Sequence, residues 1–193
     1  MSTHSPDLTQ ARSLPLMIGQ DRERVWSELE SEVVALFDQY RDRLLAYVAA
    51  FSLTGQDAEE VVQEVFLSLF RHLAAGKPRS NLRGWIFRVA HNLALKQRSA
   101  NRRRQRWIEA EESLATQAYD PSPSPEEHAV SAQQRQRLMS AVNALPEQDR
   151  LCFTLRAEGL RYREIAHVLG ISLGSVALSL TRSMARLMRA AEM

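Results

Sequence analysis

A single cysteine, Cys152, stands in the 193 residues. It cannot form an intramolecular disulfide or a cysteine-based zinc site, and such scarcity fits a reducing compartment. Seven glycines and seven prolines, without any period, exclude collagen-like and solenoid repeats. The longest strongly apolar run, Leu44 to Leu53, falls well short of the ~20 residues a bilayer demands. No stable membrane insertion is therefore expected. The first residues carry Asp7 and no apolar core, unlike a signal peptide. A cytoplasmic location follows as the expectation. No run of alternating β-branched residues occurs, so a sheet is not expected. The sequence also lacks a Gly-rich phosphate loop, a G-x-S-x-G and an H-E-x-x-H, and no carboxylates converge in its basic segment. His72, His91, His128 and His167 show no ligand spacing. These absences predict no enzyme, no catalytic residue, no metal and no cofactor.

What is present is a normal globular balance, 45% apolar and 25% charged residues, with charges sorted into blocks. The formal net charge of +2 hides this. Residues 21–64 hold 11 acids and 4 bases; residues 77–106 hold 10 bases and no acid; residues 107–130 hold 6 acids and no base. Such sorting assigns different partners to different segments. The basic stretch is interleaved with aromatics, the footprint of a phosphate-binding surface rather than of a plain solvated tail.

Hydrophobic spacing predicts an all-α chain of two small helical domains joined by a flexible linker. Residues 1–20, with Pro6 and Pro15 and no firm periodicity, read as an extension. Apolar residues from Leu29 to Phe51 recur at helical steps and predict one long helix or two joined ones. Thr54 stands three residues before Asp57, a capping signature for a second helix. That helix runs its apolar face from Ala58 to Leu73 and ends at Gly76-Lys77-Pro78. A third segment is expected from about Leu82 to Arg104, with Trp85, Ile86, Val89, Ala90, Leu93 and Ala94 on one face. Arg88, His91, Asn92, Lys96, Gln97 and Arg98 lie mainly elsewhere on its surface. Asp120-Pro-Ser-Pro-Ser-Pro125 cannot be helical. The boundaries that follow are 21–107 for the first domain, 108–130 for an acidic linker and 131–193 for the second domain.

Residues 161–189 read as a helix-turn-helix. Ile165, Ala166 and Leu169 face a partner helix, Gly170 makes the turn, Ile171 plugs the core and Ser172 caps the second helix. A simple antiparallel helix pair would share much of this local pattern. A second helix of this kind enters a DNA major groove with its solvent face.

Three motifs in order carry a closer resemblance. They are Asp57-Ala-Glu-Glu-Val-Val-Gln63-Glu64-Val-Phe66-Leu, then Leu82-Arg-Gly-Trp85-Ile-Phe-Arg88-Val-Ala-His-Asn92, then Leu145-Pro146-Glu-Gln-Asp-Arg150 with Tyr162-Arg-Glu-Ile165-Ala166-His-Val-Leu-Gly170-Ile-Ser172. Over about residues 33–106 and 131–190 the chain resembles the extracytoplasmic-function group of bacterial sigma factors. The resemblance implies a transcription initiation factor that works with core RNA polymerase. It implies that Asp57, Glu60, Gln63 and Glu64 dock on polymerase. Arg83, Trp85, Arg88, Asn92, Lys96, Arg98, Arg102 and Arg103 would read and melt the −10 element, with Phe87 beside them. In single-stranded DNA recognition, aromatics stack bases while cations follow phosphates. Asn92 and the loop from Ala75 to Arg83 would shape a pocket for a flipped base. Ser172, Ser175, Thr181, Arg182 and Arg186 would contact the −35 element. The implied partners are thus core polymerase and promoter DNA, as duplex and as melted strand. An anti-sigma protein clamping both domains is a further candidate. The acidic linker reads either as a tether or as a mimic of nucleic acid.

One departure stands out. Family members carry Lys or Arg soon after the valine matched by Val176, but here Ala177, Leu178 and Ser179 follow. None of the three makes a bidentate contact to guanine. The −35 reading would then pass through phosphates and DNA shape, or Ala177 and Leu178 would face a protein. A stand-alone helix-turn-helix regulator is the competing reading. It would need neither the Asp57–Leu67 motif nor the basic block.

Overall fold

The computed structural model describes residues 19–111 and 139–191. The long elements are α1 (Gly19–Ala49), α2 (Gly55–Ala74), α3 (Leu82–Glu111), α4 (Glu147–Ala157), α5 (Tyr162–Leu169) and α6 (Leu173–Ala191). Residues 139–143 add a short helical stretch before α4. No strand occurs among the described residues. Most of the N-terminal extension and most of the linker expected from the sequence lie outside the described residues.

Helix ends follow local chemistry. α1 is one continuous helix, and Ser52 beyond it turns into the left-handed region at φ 56°. Thr54 caps α2 by accepting from the Asp57 N–H at 3.1 Å, as its spacing predicts. Asn81, also left-handed at φ 57°, opens α3 by accepting from the Gly84 N–H at 3.2 Å. α3 runs seven residues past the expected Arg104 and enters the acidic segment assigned to the linker. Acidity is no helix breaker, and no Gly or Pro interrupts the chain before Pro121.

The α1–α3 bundle buries Leu44, Tyr47, Phe51, Val65, Leu69, Ile86 and Phe87 almost completely. Tyr47 and Phe87 meet edge to face at 5.4 Å between centroids, the arrangement aromatic quadrupoles favour. Two sequence expectations are corrected here. Phe87 is a core residue with no exposed face for a base. His91 is also interior, its Nδ1 2.9 Å from the Tyr47 hydroxyl. Burial lowers the His91 pKa and raises that of Tyr47 far above the ordinary phenol range. The pair is thus held neutral as a satisfied core hydrogen bond.

α4, α5 and α6 close around Leu151, Leu155, Leu160, Ile165, Val168, Val176 and Leu180. The α5–α6 turn is built on Gly170 at φ 66°, where a β-carbon would be strained. Asp149 is almost fully buried. It accepts from Arg182 Nε at 3.1 Å and from Arg182 Nη2 at 2.7 Å. The Arg182 hydrogen bonds hold the Asp149 carboxyl below its usual pKa. This clamp joins α4 to α6 and sets the pose of the second helix. Its contribution is complete above the ordinary carboxylate pKa of about 3.9. It is lost as acid protonates Asp149 below that value. Asp149→Asn is expected to cost about 2 kcal/mol at neutral pH. The same substitution should flatten the acid limb of the stability curve, as read by denaturant melts between pH 2 and 7.

The two halves meet. α3 packs on α5, and one continuous apolar cluster includes residues from both. Polar contacts also cross the seam. Arg98 Nη1 lies 2.6 Å from Glu147 Oε1, Arg43 pairs with Glu158, and Arg150 Nη2 donates to the Ala50 carbonyl at 3.0 Å.

Candidate nucleic-acid interface

A helix turns 100° per residue, so Trp85, Asn92, Lys96 and Arg103 fall on one narrow stripe of α3, with Arg88 at its margin. At ~1.5 Å per residue the stripe is about 27 Å long. Asn92, Lys96, Arg102 and Arg103 are exposed along it or beside it. No carboxylate lies between Lys77 and Arg106, so along this stretch no acid of the helix competes with phosphate for these cations; Glu109 and Glu111 follow only in its last turn.

The other expected −10 residues sit against the second half of the chain. Arg88 contacts His167 of α5. The guanidinium of Arg83 lies beside Gly159, where an added β-carbon would come within 2.9 Å of its Nη1. Arg83 Nε is buried there with no hydrogen-bond partner. Trp85 is half-buried, with its ring 4.6 Å from that of His72. It lines a cleft whose opposite wall is Arg163, Glu164, His167 and Val168. Arg98 turns off the stripe, paired to Glu147 and lying 5.6 Å over the Phe51 ring. The structure therefore leaves the C-terminal part of the basic stripe open and covers its aromatic end with α5.

On α2 the four docking candidates divide. Glu60 and Gln63 are exposed, and Glu64 is half-buried, 3.3 Å from Arg71. Asp57 differs from them. Its Oδ1 accepts from Gln97 at 2.8 Å, and its Oδ2 accepts from Thr54 and Asn101 at the same distance. The Thr54 bond, then the Asn101 bond, holds its carboxyl below the usual range. With both oxygens engaged, Asp57 fastens α2 to α3. Nothing in the sequence marks Gln97 and Asn101 for this role. It depends on the α2–α3 pairing, which local spacing does not reveal.

On the helix-turn-helix, Ser172 accepts from the Ser175 N–H at 3.1 Å, and the two hydroxyls are 2.9 Å apart. This confirms the expected cap. Thr181 donates its hydroxyl proton to the Ala177 carbonyl at 3.0 Å. Ser172, Thr181, Arg182 and Arg186 are exposed, and Ser175 is half-buried. Arg182 keeps part of its guanidinium outward while two of its N–H groups serve Asp149. Ser179 is fully buried and accepts from Gln148 at 3.1 Å. Among the described residues, no group of three or more His, Cys, Asp or Glu could hold a metal ion. No single described helix is long and apolar enough to cross a membrane.

The geometry has counterparts. Residues 36–107 match the family model for Sigma-70 region 2, and residues 135–187 match that for Sigma-70, region 4. The ECF RNA polymerase sigma-E factor of Escherichia coli K12 is 31% identical over 160 residues, covering 80% of this chain and 83% of that protein. A probable RNA polymerase sigma factor of Xanthomonas campestris, RfaY, is 31% identical over 129 residues. That match covers 66% of this chain and 32% of the Xanthomonas protein. Among solved structures, the sigma factor RpoE bound to the anti-sigma factor NepR, from Bartonella quintana, superposes with a TM-score of 0.58. It is 20% identical and covers 86% of this chain and 98% of that one. CnrH bound to the cytosolic domain of CnrY gives a TM-score of 0.54 at 20% identity, covering 84% and 89%. At these identities the two structures speak for the fold.

Proposed function

The chain belongs to the extracytoplasmic-function group of sigma-70 transcription initiation factors, and from that membership we propose how its surfaces divide the work. The α2 face of Glu60, Gln63 and Glu64 docks on core RNA polymerase. The α3 stripe holds the melted −10 strand, and α6 lies in the major groove of the −35 duplex. The single observation that carries this reading is the α3 stripe, where an aromatic, an amide and cations are ranked along one face without a carboxylate. It fits a single strand whose bases stack and whose phosphates are tracked. The chain supplies recognition and strand capture, and the bond-making stays with polymerase, in the cytoplasm. An anti-sigma protein belongs among the proposed partners, on the precedent of the Bartonella complex. The region 2 match and its acidic docking helix weigh against a stand-alone regulator.

The reading entails a rearrangement. The −10 and −35 elements are ~25 base pairs apart, roughly 85 Å along B-DNA at its usual rise. In the structure the aromatic end of the α3 stripe touches α5. The seam between the halves must open before both elements can be held. Its unpaired Arg83 Nε and the partly exposed ion pairs that cross it beside the apolar contact suit a contact made to be exchanged for DNA and polymerase.

Docking is tested by competition. Glu64→Lys reverses charge at a half-buried position paired with the solvated Arg71, so the fold should persist. Its affinity for core polymerase is expected to fall about tenfold, as truncating or reversing an interfacial charge does. Equal competition by variant and wild type against a labelled reference factor would remove α2 from the docking surface.

A further inference from the structure

The departure at Ala177, Leu178 and Ser179 acquires a meaning from the pose of α6. Val176, Ser179, Leu180, Ser183 and Leu187 are buried against α4 and α5. The opposite face, at steps of four and three, is Gly174, Leu178, Thr181 and Ala185, all exposed. Leu178, at its centre, is 56% exposed. From Ser172 to Thr181 there is no Arg, Lys, Asn or Gln, so this face lacks every side chain that reads a base bidentately. Its hydroxyls are partly spent, Thr181 on the Ala177 carbonyl and Ser172 and Ser175 on each other. In the major groove, the apolar feature on a base edge is the C5-methyl of thymine.

We propose that α6 reads its half of the promoter through thymine methyl groups, with Leu178 as the specificity-determining residue. This rests on the placement of α6 in the −35 duplex. DNA is the occupant because α6 carries Arg182, Arg186 and Arg189 and no acid. These cations all follow Leu178 on α6, one to three turns along the helix, where they can track the backbone phosphates beside the apolar centre. A purely apolar protein partner would leave Arg186 and the outward part of the Arg182 guanidinium, the part that Asp149 does not engage, unmatched.

The test uses the full chain assembled with core polymerase and a promoter fragment that the assembly transcribes. Thymines of the −35 element are replaced singly by deoxyuridine, which removes the methyl and nothing else. Wild type is expected to lose about fourfold in affinity at each thymine that Leu178 touches. Leu178→Ala should bind the natural fragment more weakly and become indifferent to the same replacement. Deoxyuridine in the spacer should have no effect on either protein. Transcription that proceeds with no deoxyuridine sensitivity in wild type overturns the proposal while leaving the sigma reading intact. So does a sensitivity that Leu178→Ala retains. A Leu178→Ala protein that binds DNA normally but loses a protein inhibitor would reassign the face to that partner. Failure of the assembly to form or to transcribe any fragment overturns the placement of α6 and the proposal with it.

Discussion

Reversing two charges on α3, Lys96→Glu with Arg103→Glu, is expected to abolish promoter opening while leaving polymerase binding unchanged. The two positions are seven residues apart on one exposed stripe, about 10 Å along the helix, so they meet different phosphates of one strand. Neither makes a contact within the described fold that the substitution would break. Loss of two phosphate contacts together with new repulsion should lower open-complex formation about a hundredfold at physiological salt. The alanine pair supplies a gentler version. Its plot of log affinity against log salt should lose about two from its slope, one for each phosphate contact removed. Asn92→Ala belongs to the same stripe but carries no charge. It should reduce opening without altering the salt slope. Permanganate reactivity of unpaired thymines reads opening directly, and a loss of core binding in parallel would refute the assignment of the stripe to DNA.

Tying the two halves together should have the second large effect. Arg43 and Glu158 face one another across the seam, on α1 and on the residue just after α4, and neither belongs to the proposed DNA surfaces. Cysteines at these positions, joined by a short reducible cross-linker, should hold α5 over Trp85 and Arg88. Cys152 is buried and should not compete for the reagent. Transcription is expected to fall more than a hundredfold in the cross-linked protein and to return on reduction. The magnitude follows from geometry, since a locked chain cannot bridge roughly 85 Å of duplex. Full activity in the cross-linked protein would mean that the seam does not have to open.

Periodicity and capping make most of the helices legible in the sequence alone. Thr54, Gly76, Gly159 and Gly170 mark ends where the backbone needs a cap or a positive φ, and these are local requirements written in local residues. The overrun of α3 is not legible, because an acidic segment without Gly or Pro propagates a helix as readily as it forms a loop. The candidate site is legible wherever it lies on one helix. The sequence places the cations and Asn92 of α3 outside its apolar face, and a 100° turn per residue then brings Asn92, Lys96 and Arg103 into line with Trp85, which the spacing alone sets on that apolar face. It is not legible where residues distant in sequence meet. Phe87 falls to the core because α1 presents Tyr40 and Tyr47 to it. Asp57 is taken by Gln97 and Asn101, from a different helix. Arg98 finds Glu147, and Arg88 finds His167, across a seam that no local pattern announces. Arg182 has the look of a free DNA contact in the sequence, but the buried carboxylate of Asp149 takes two of its N–H groups.

The central claim is that this chain makes core polymerase start at particular promoters, and run-off transcription from a library of promoter fragments tests it most directly. With purified bacterial core enzyme, the account predicts transcripts from discrete start sites only when the protein is added, with two shared sequence blocks upstream of those starts. Binding to duplex DNA without binding to core, and no protein-dependent transcript from any fragment, would contradict it.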